Sequence, residues 1–199
     1  MPSNQIYRAG LGLRMAGARN GHALVLEPAP TGPEAAVRSL LESIGEDPDR
    51  DGLRDTPGRF VRALREMTAG QREDPADILG RVFEEAYDGP VTVSDIPYWS
   101  LCEHHLLPFH GTVDITYLPD GRVVGLSKLS RLVQTFSRRL QMQERMTRQL
   151  ADAVEEHLGA LGVEVTVRGH HSCMAARGVR TPATMTTRAV RGRPVGGTA

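Results

Sequence analysis

The sequence predicts an α+β fold, an antiparallel sheet in ββααββ order with two helices on one face and a helical extension before it. Three observations carry this expectation. Apolar residues alternate at period two around Val91, Val113 and Val163, which is the strand period. Between the second and third of these stretches, two runs repeat at helical spacing. Upstream of residue 90 only the helical period is found. Two strand pairs flanking a helix pair pack most simply as a sheet with helices on one face. The expected organisation is a flexible arm over 1–31, a helical region over 32–89, the principal α+β domain over 90–192 and a disordered tail over 193–199.

In chain order, the first stretch is interrupted by Gly and Pro and ends in Pro28-Ala29-Pro30. Arg8, Arg14 and Arg19 give it a faint likeness to a transit peptide, but it lacks an apolar h-region, so a Gly-rich arm is expected. From Pro33, Ala36, Val37, Leu40, Leu41 and Ile44 mark a helix that Gly45 ends. The charged loop Glu46–Gly52 lacks the acidic spacing and terminal Glu of a calcium loop. Thr56-Pro57 reads as N-cap and first helical residue, with Phe60, Leu64 and Met67 on one face and Gly70 as the stop. A short helix is expected over Pro75–Leu79. Val91, Val93 and Ile96 begin a strand, and Val113, Ile115 and Tyr117 another, closed by the turn Pro119-Asp120-Gly121. Ser127 reads as the N-cap of a helix over 128–139, followed by a second over 143–158. Val163, Val165 and Val167 alternate again, and 183–190 is Thr-rich and strand-like.

At 199 residues, one principal domain is expected. The 24 basic and 24 acidic side chains cancel, so no global field draws nucleic acid or a membrane surface. No apolar run approaches the roughly 18 residues of a membrane span. Two cysteines make no disulfide framework and suit a reducing compartment, so a cytoplasmic location is expected.

Those two cysteines lie in Ser100–His105 and in His170–Cys173, together with four of the seven histidines. A thiolate and an imidazole three positions apart can meet one ion, and zinc is the usual ion for such ligands. The working hypothesis is one site closed by Cys102, His105 and Cys173. Three protein ligands leave a fourth position open, the pattern of catalytic rather than structural zinc. Buried thiols or a single disulfide are the bland alternatives, and a disulfide leaves the histidines unexplained.

Other polar groups point to a phosphate-bearing partner. Lys128 is the sole lysine in a chain whose other basic residues are all arginine. It stands in Gly125–Lys128, a turn into a helix N-terminus that could seat a phosphate or simply be a cap. Arg131 follows by about one helical turn, and Arg177 lies four residues beyond Cys173. Salt bridging elsewhere is the alternative for all three. Gln143-Glu144 opens the second helix, where Glu either complements the dipole or accepts two N–H bonds from a base. His104 and His171 are candidates for general acid and base.

Ser100–Phe109, Gly125–Leu129, Leu140–Arg145 and His171–Val179 closely resemble GTP cyclohydrolase I, as do Ile44–Pro48 and Gly52–Arg59. The likeness runs in register from about residue 34 to 192. It implies a tunnelling (T-) fold and a toroidal homo-oligomer, a decamer, with active sites between subunits. It implies one Zn2+ per subunit on Cys102, His105 and Cys173, and it divides the adjacent histidines by giving His104 to proton transfer with His171. It implies that Glu144 with Gln143 reads the guanine and ribose of GTP, and that Ser127, Lys128, Arg131 and Arg177 hold the triphosphate, Ser127 also standing near the ribose. The implied reaction opens the imidazole ring at C8, releases formate and rearranges to 7,8-dihydroneopterin triphosphate.

The chain departs from the family pattern at Arg168, where an acidic residue is usual, at His170, and in the basic strand Thr184–Gly192. These departures leave two alternatives in view. One is a same-fold enzyme that stops at the formamidopyrimidine intermediate or uses another purine nucleotide. The other is a non-catalytic nucleotide-binding paralogue.

Overall fold

The computed structural model describes residues 31–195. The expected arm therefore lies outside the described residues except for Thr31, and of the expected tail only 193–195 are described. The chain divides into two compact units with the break between Ala63 and Leu64, upstream of the residue 90 boundary that the hydrophobic periods suggest.

The first unit holds α1 (Pro33–Ser43) and most of α2 (Thr56–Met67). The acidic loop between them is an ion-paired turn. Arg38 reaches Asp49, Arg50 reaches Glu46 and Arg54 reaches Asp51, at 2.5, 3.0 and 2.8 Å. Carboxylates arranged around guanidinium groups have their charge met within the chain.

The second unit opens on the last turn of α2, followed by a 3-10 turn at Ala69–Arg72 and α3 (Pro75–Leu79), whose N-cap Asp74 accepts from the Ala76 N–H at 2.9 Å. It continues through β1 (Val82–Glu84), β2 (Val91–Cys102), β3 (Pro108–Leu118) and β4 (Arg122–Val124). Then come α4 (Leu126–Ser137), β5 (Leu140–Gln141), α5 (Gln143–Leu158), β6 (Gly162–His171), α6 (Ser172–Ala175) and β7 (Thr184–Gly192). The strands form a five-stranded sheet in the order β5-β2-β3-β6-β7 and a two-stranded ribbon of β1 with β4. All pairs are antiparallel except β2 with β5.

The strand period explains how the sheet packs. Val113, Ile115 and Tyr117 on β3 and Val163, Val165 and Val167 on β6 are buried. They share one core with Leu129, Leu132 and Val133 of α4 and Met146, Leu150 and Val154 of α5. The alternate residues, among them Thr112, Asp114, Arg168 and His170, are half-buried or exposed. Helix α4 packs on β2 and α5 on β6 and β7, so the helices cover the valine face, and among the described residues the other face stays open.

Three details differ from the sequence expectation. Ser127 is not a cap, because α4 starts one residue earlier, at Leu126, with Gly125 as N-cap and no side-chain cap bond. The strand that Val91, Val93 and Ile96 begin is longer than that alternation, running on through Cys102 into the Cys/His segment. A bulge between Val93 and Ile96 shifts its register, with Asp95 at φ 56° and its N–H bound by Asp114 Oδ1 at 2.9 Å. Strands β1 and β5 are too short to show a period.

Leu150 is fully buried between α5 and the sheet. Leu150→Ala is expected to cost about 2–5 kcal/mol of unfolding free energy. Urea unfolding checks this; a loss well under 1 kcal/mol would mean the α5–sheet seam is not close-packed.

Candidate metal centre

The centre is built where β2 ends, β3 begins and β6 runs into α6. After Cys102 the chain turns sharply, with the Leu106 N–H donating to the Cys102 carbonyl at 2.8 Å and the Cys102 N–H to the Leu107 carbonyl at 2.9 Å. Leu106 takes a left-handed φ of 54° to allow it. The turn folds His105 back over its own cysteine, leaving Nδ1 at 3.6 Å from Cys102 Sγ. The long β3–β6 pairing brings in the second segment, with Phe109 opposite His171 and the Ser172 hydroxyl bonded to the Pro108 carbonyl at 2.5 Å. Cys173 thereby joins the first segment. The ligand atoms of Cys102, His105 and Cys173 all lie within 4.8 Å of one another, the one such cluster of three among the described residues. Both cysteines are free thiols, so the disulfide alternative does not apply.

The remaining predicted groups are placed unevenly around this cluster. His104 is exposed, with Nδ1 3.9 Å from Cys102 Sγ, on the rim of the cluster. Arg177 reaches in from beyond α6, its Nη1 3.1 Å from His105 Nε2. A guanidinium only donates, so Nε2 accepts and a neutral His105 carries its proton on Nδ1, facing the Cys102 sulfur. An ion held through Nδ1 would move that proton to Nε2, where it would meet Arg177 donor against donor.

His171 is held from two sides. Its ring stacks on Phe109 with centroids 4.5 Å apart and 8° between planes. Its Nε2 lies 2.9 Å from Gln143 Oε1. The Gln143 Nε2 amino group donates to the Val167 and Met185 carbonyls, at 3.1 and 3.0 Å, and to the Thr187 hydroxyl at 3.2 Å. Carbonyls accept only, so the amide orientation is fixed, and Nε2 of a neutral His171 must be the donor. Nδ1 is left to accept. Burial, more than any neighbouring charge, pushes the His171 imidazolium below its usual range. Gly169 makes room for this arrangement, since a Cβ there would stand 2.3 Å from Gln143 Oε1 and 2.5 Å from the Tyr98 hydroxyl.

Gln143 is thus buried, at 1% exposure, with its amide occupied inside the chain, while Glu144 beside it is exposed. Ser127, Lys128 and Arg131 line a separate cavity of about 330 Å³ at the start of α4, together with Arg81, Phe83 and Gly125. Arg81 is the addition here. It sits in a helix-to-strand link where no period or motif marks it, and only the β1–β4 ribbon brings it to the cavity. Glu103, between Cys102 and His104, is clamped by both terminal nitrogens of the Arg145 guanidinium, which holds its carboxyl below the usual range. Arg168 donates through both terminal guanidinium nitrogens to Asp114 Oδ2, at 2.7 and 2.6 Å, on the open face of the sheet.

Comparison with known proteins adds an independent line. The family model described as GTP cyclohydrolase I matches residues 33–194. The GTP cyclohydrolase 1 of Mycobacterium ulcerans (strain Agy99) is 55% identical over 163 residues, covering 80% of this chain and 81% of that protein. Its counterpart in Carboxydothermus hydrogenoformans is 52% identical over 161 residues, covering 80% and 84%. That of Rhodopirellula baltica is 54% identical over 160 residues, covering 80% and 70%. Among solved structures, the apo archaeosine synthase QueF-Like aligns over 54% of this chain and 98% of its own, at 18% identity and a TM-score of 0.45.

The metal-free cluster has a definite proton balance. Partial burial and then the nearby Cys102 sulfur push the Cys173 thiol up, so it is protonated at neutral pH. A cation that takes its thiolate must displace that proton, and its affinity should rise with pH by up to about tenfold per unit for each proton released. Titrating the metal-free chain with Co2+, followed by thiolate-to-metal absorption, tests this; an affinity flat from neutral pH upward would contradict it.

Proposed function

The chain belongs to the GTP cyclohydrolase I family, and from that premise we propose that it is a zinc-dependent enzyme taking GTP to 7,8-dihydroneopterin triphosphate, with formate released from C8. The observation that carries the metal part is the convergence of two sulfurs and one imidazole on a common point. Tetrahedral zinc, with Zn–S about 2.3 Å and Zn–N about 2.05 Å, separates a sulfur and a nitrogen ligand by about 3.6 Å. The Cys102 sulfur and His105 Nδ1 stand 3.6 Å apart. Cys102, His105 and Cys173 would hold the ion and leave its fourth position open. When bound, zinc supplies Lewis acidity, which makes water a competent nucleophile toward C8 at neutral pH.

The chain's own residues do the rest. His104, exposed on the rim, and His171, with Nδ1 left to accept or carry a proton, move protons at the opening ring. A proton delivered to N7 makes C8 a better electrophile. Glu144 accepts two N–H bonds from the guanine edge, and Gln143 acts on the substrate through its hold on His171. Ser127, Lys128, Arg131 and Arg177 grip the triphosphate, positioning the base rather than reacting with it. The cavity at the start of α4 supports this, since it gathers a helix N-terminus, a hydroxyl and several cations. That cavity shares no residue with the Cys102 cluster, which favours sites completed between subunits of a homo-oligomer, a decamer. The fold is read as the tunnelling fold in its ββααββ order, and the location as the cytoplasm. Among the described residues no helix is long and apolar enough to cross a membrane.

Incubation of the zinc-loaded protein with GTP, followed by mass analysis, tests the reaction. Formate together with the pterin triphosphate is expected; formate without a pterin would replace this reading with one that stops at the formamidopyrimidine. Cys102→Ala should lose both bound zinc and turnover, and normal turnover by that variant would overturn the metal assignment. His104→Ala should keep its zinc and lose about 10²–10⁴ of the ring-opening rate. Loss of zinc instead would mean that His104, not His105, is the ligand.

A further inference from the structure

Three aromatic side chains form a ladder across the open face of the sheet. Trp99 on β2 pairs with His110 on β3, and His110 pairs with His170 on β6. Trp99 is 59% exposed and stacks on His110, with centroids 4.3 Å apart and 23° between planes. His110 and His170 rings follow at 5.7 Å and 36°. Thr184 on β7 stands next in the same row.

The reaction proposed above uses none of these groups. Residues 110 and 170 share the outward parity of Asp114 and Arg168, while His171 takes the other. Both imidazoles are exposed, and no ring nitrogen of either has a hydrogen-bond partner among the described residues. That separates them from His171 and His105, whose nitrogens are engaged by Gln143 and Arg177.

We infer that His110 and His170 form an accessory site for a divalent transition-metal ion of the copper, nickel and zinc class. Directly opposed side chains on antiparallel strands hold their Cβ atoms about 4.5–5.5 Å apart, within the span of two imidazoles sharing one ion at about 2.0–2.1 Å. The Trp99 stack limits the His110 ring and so lowers the ordering cost of binding. The cation one row along, Arg168, has its charge met by Asp114 and does not repel an incoming ion. With imidazole donors alone, the pair favours ions late in the Irving–Williams order over calcium or magnesium. The remaining positions stay with water. An ion here ties β3 to β6 on the face opposite His171.

The test uses Trp99, the chain's sole tryptophan, as reporter. Zinc-loaded protein is titrated with Ni2+ while Trp emission, calorimetric heat and retained zinc are followed. One saturable event per chain is expected, with loss of Trp emission and no loss of zinc. His110→Asn and His170→Asn should each weaken the event at least about tenfold, with zinc content and GTP turnover unchanged. Trp99→Phe should remove the optical signal and keep the heat. Three results overturn the inference: no saturable event in the parent chain, undiminished affinity in His170→Asn, or release of one zinc for each Ni2+ taken up. Because zinc retention is measured separately, failure here is distinguishable from failure of the zinc assignment at Cys102.

Discussion

The pairing of β3 with β6 is the constraint on which the site depends. It runs unbroken from Phe109 opposite His171 to Leu118 opposite Gly162. Cys173 meets Cys102 and His105 because of it. A slip of one residue would turn Val163, Val165 and Val167 out of the core and carry His171 away from Phe109. The register is protected by burial on the helix-covered face. It is also protected by Gly111, where any Cβ would stand 1.9 Å from the Arg168 carbonyl. The strands pack closely because that position has no side chain.

Gln143 carries the same constraint from the sheet into α5. One amide ties the first turn of the helix to β6, to β7 and to the ring of His171. Its neighbour Thr147 continues the connection, donating to the Gln143 carbonyl at 2.8 Å and sharing a hydrogen bond with Thr187 at 2.6 Å. In a low-dielectric interior such a network specifies one arrangement strongly, because each missing partner would leave a buried polar group unsatisfied. The Tyr98 hydroxyl is one such group, buried without a partner among the described residues, and burial drives its ionisation well above the usual range. Its space is shared with the Gln143 amide above Gly169, so a precise fit there was kept at the expense of one hydrogen bond.

What was legible in the sequence was what local period and residue chemistry encode. The valine alternations and the two helical stripes became the core. Each Cys/His segment stood out because thiol and imidazole spacing is local, while their meeting rests on the β3–β6 pairing. What escaped was whatever depends on register between distant strands. Gln143 beside Glu144 reads as surface, and only the β6–β7 pairing makes it interior. The Trp99–His110 stack and the Arg168–Asp114 pair join residues that no helical or strand period relates. Strands β1 and β5 have too few residues for alternation to appear, and Arg81 gains its place at the cavity beside α4 only through the first of them. Ser127 looked like a cap because its type suits one, yet a helix can begin at the preceding turn when the backbone there is already free.

The departures from the family pattern take on a different meaning in this light. Arg168 and His170 share one parity on β6, and His171 has the other. With a period of two, Arg168 and His170 face away from the core and from the stack of His171 on Phe109. Arg168 is taken up by Asp114, whose other oxygen holds the bulge in β2 at Asp95. As a partly exposed pair it contributes little stability, about 0–1 kcal/mol, but it fixes the geometry of the open face. Substitutions confined to that face can change what the sheet presents to solvent without moving the Gln143–His171–Phe109 arrangement on the other. Trp99, His110 and His170 are aligned on that open face, while the valine core and the stack of His171 on Phe109 belong to the other.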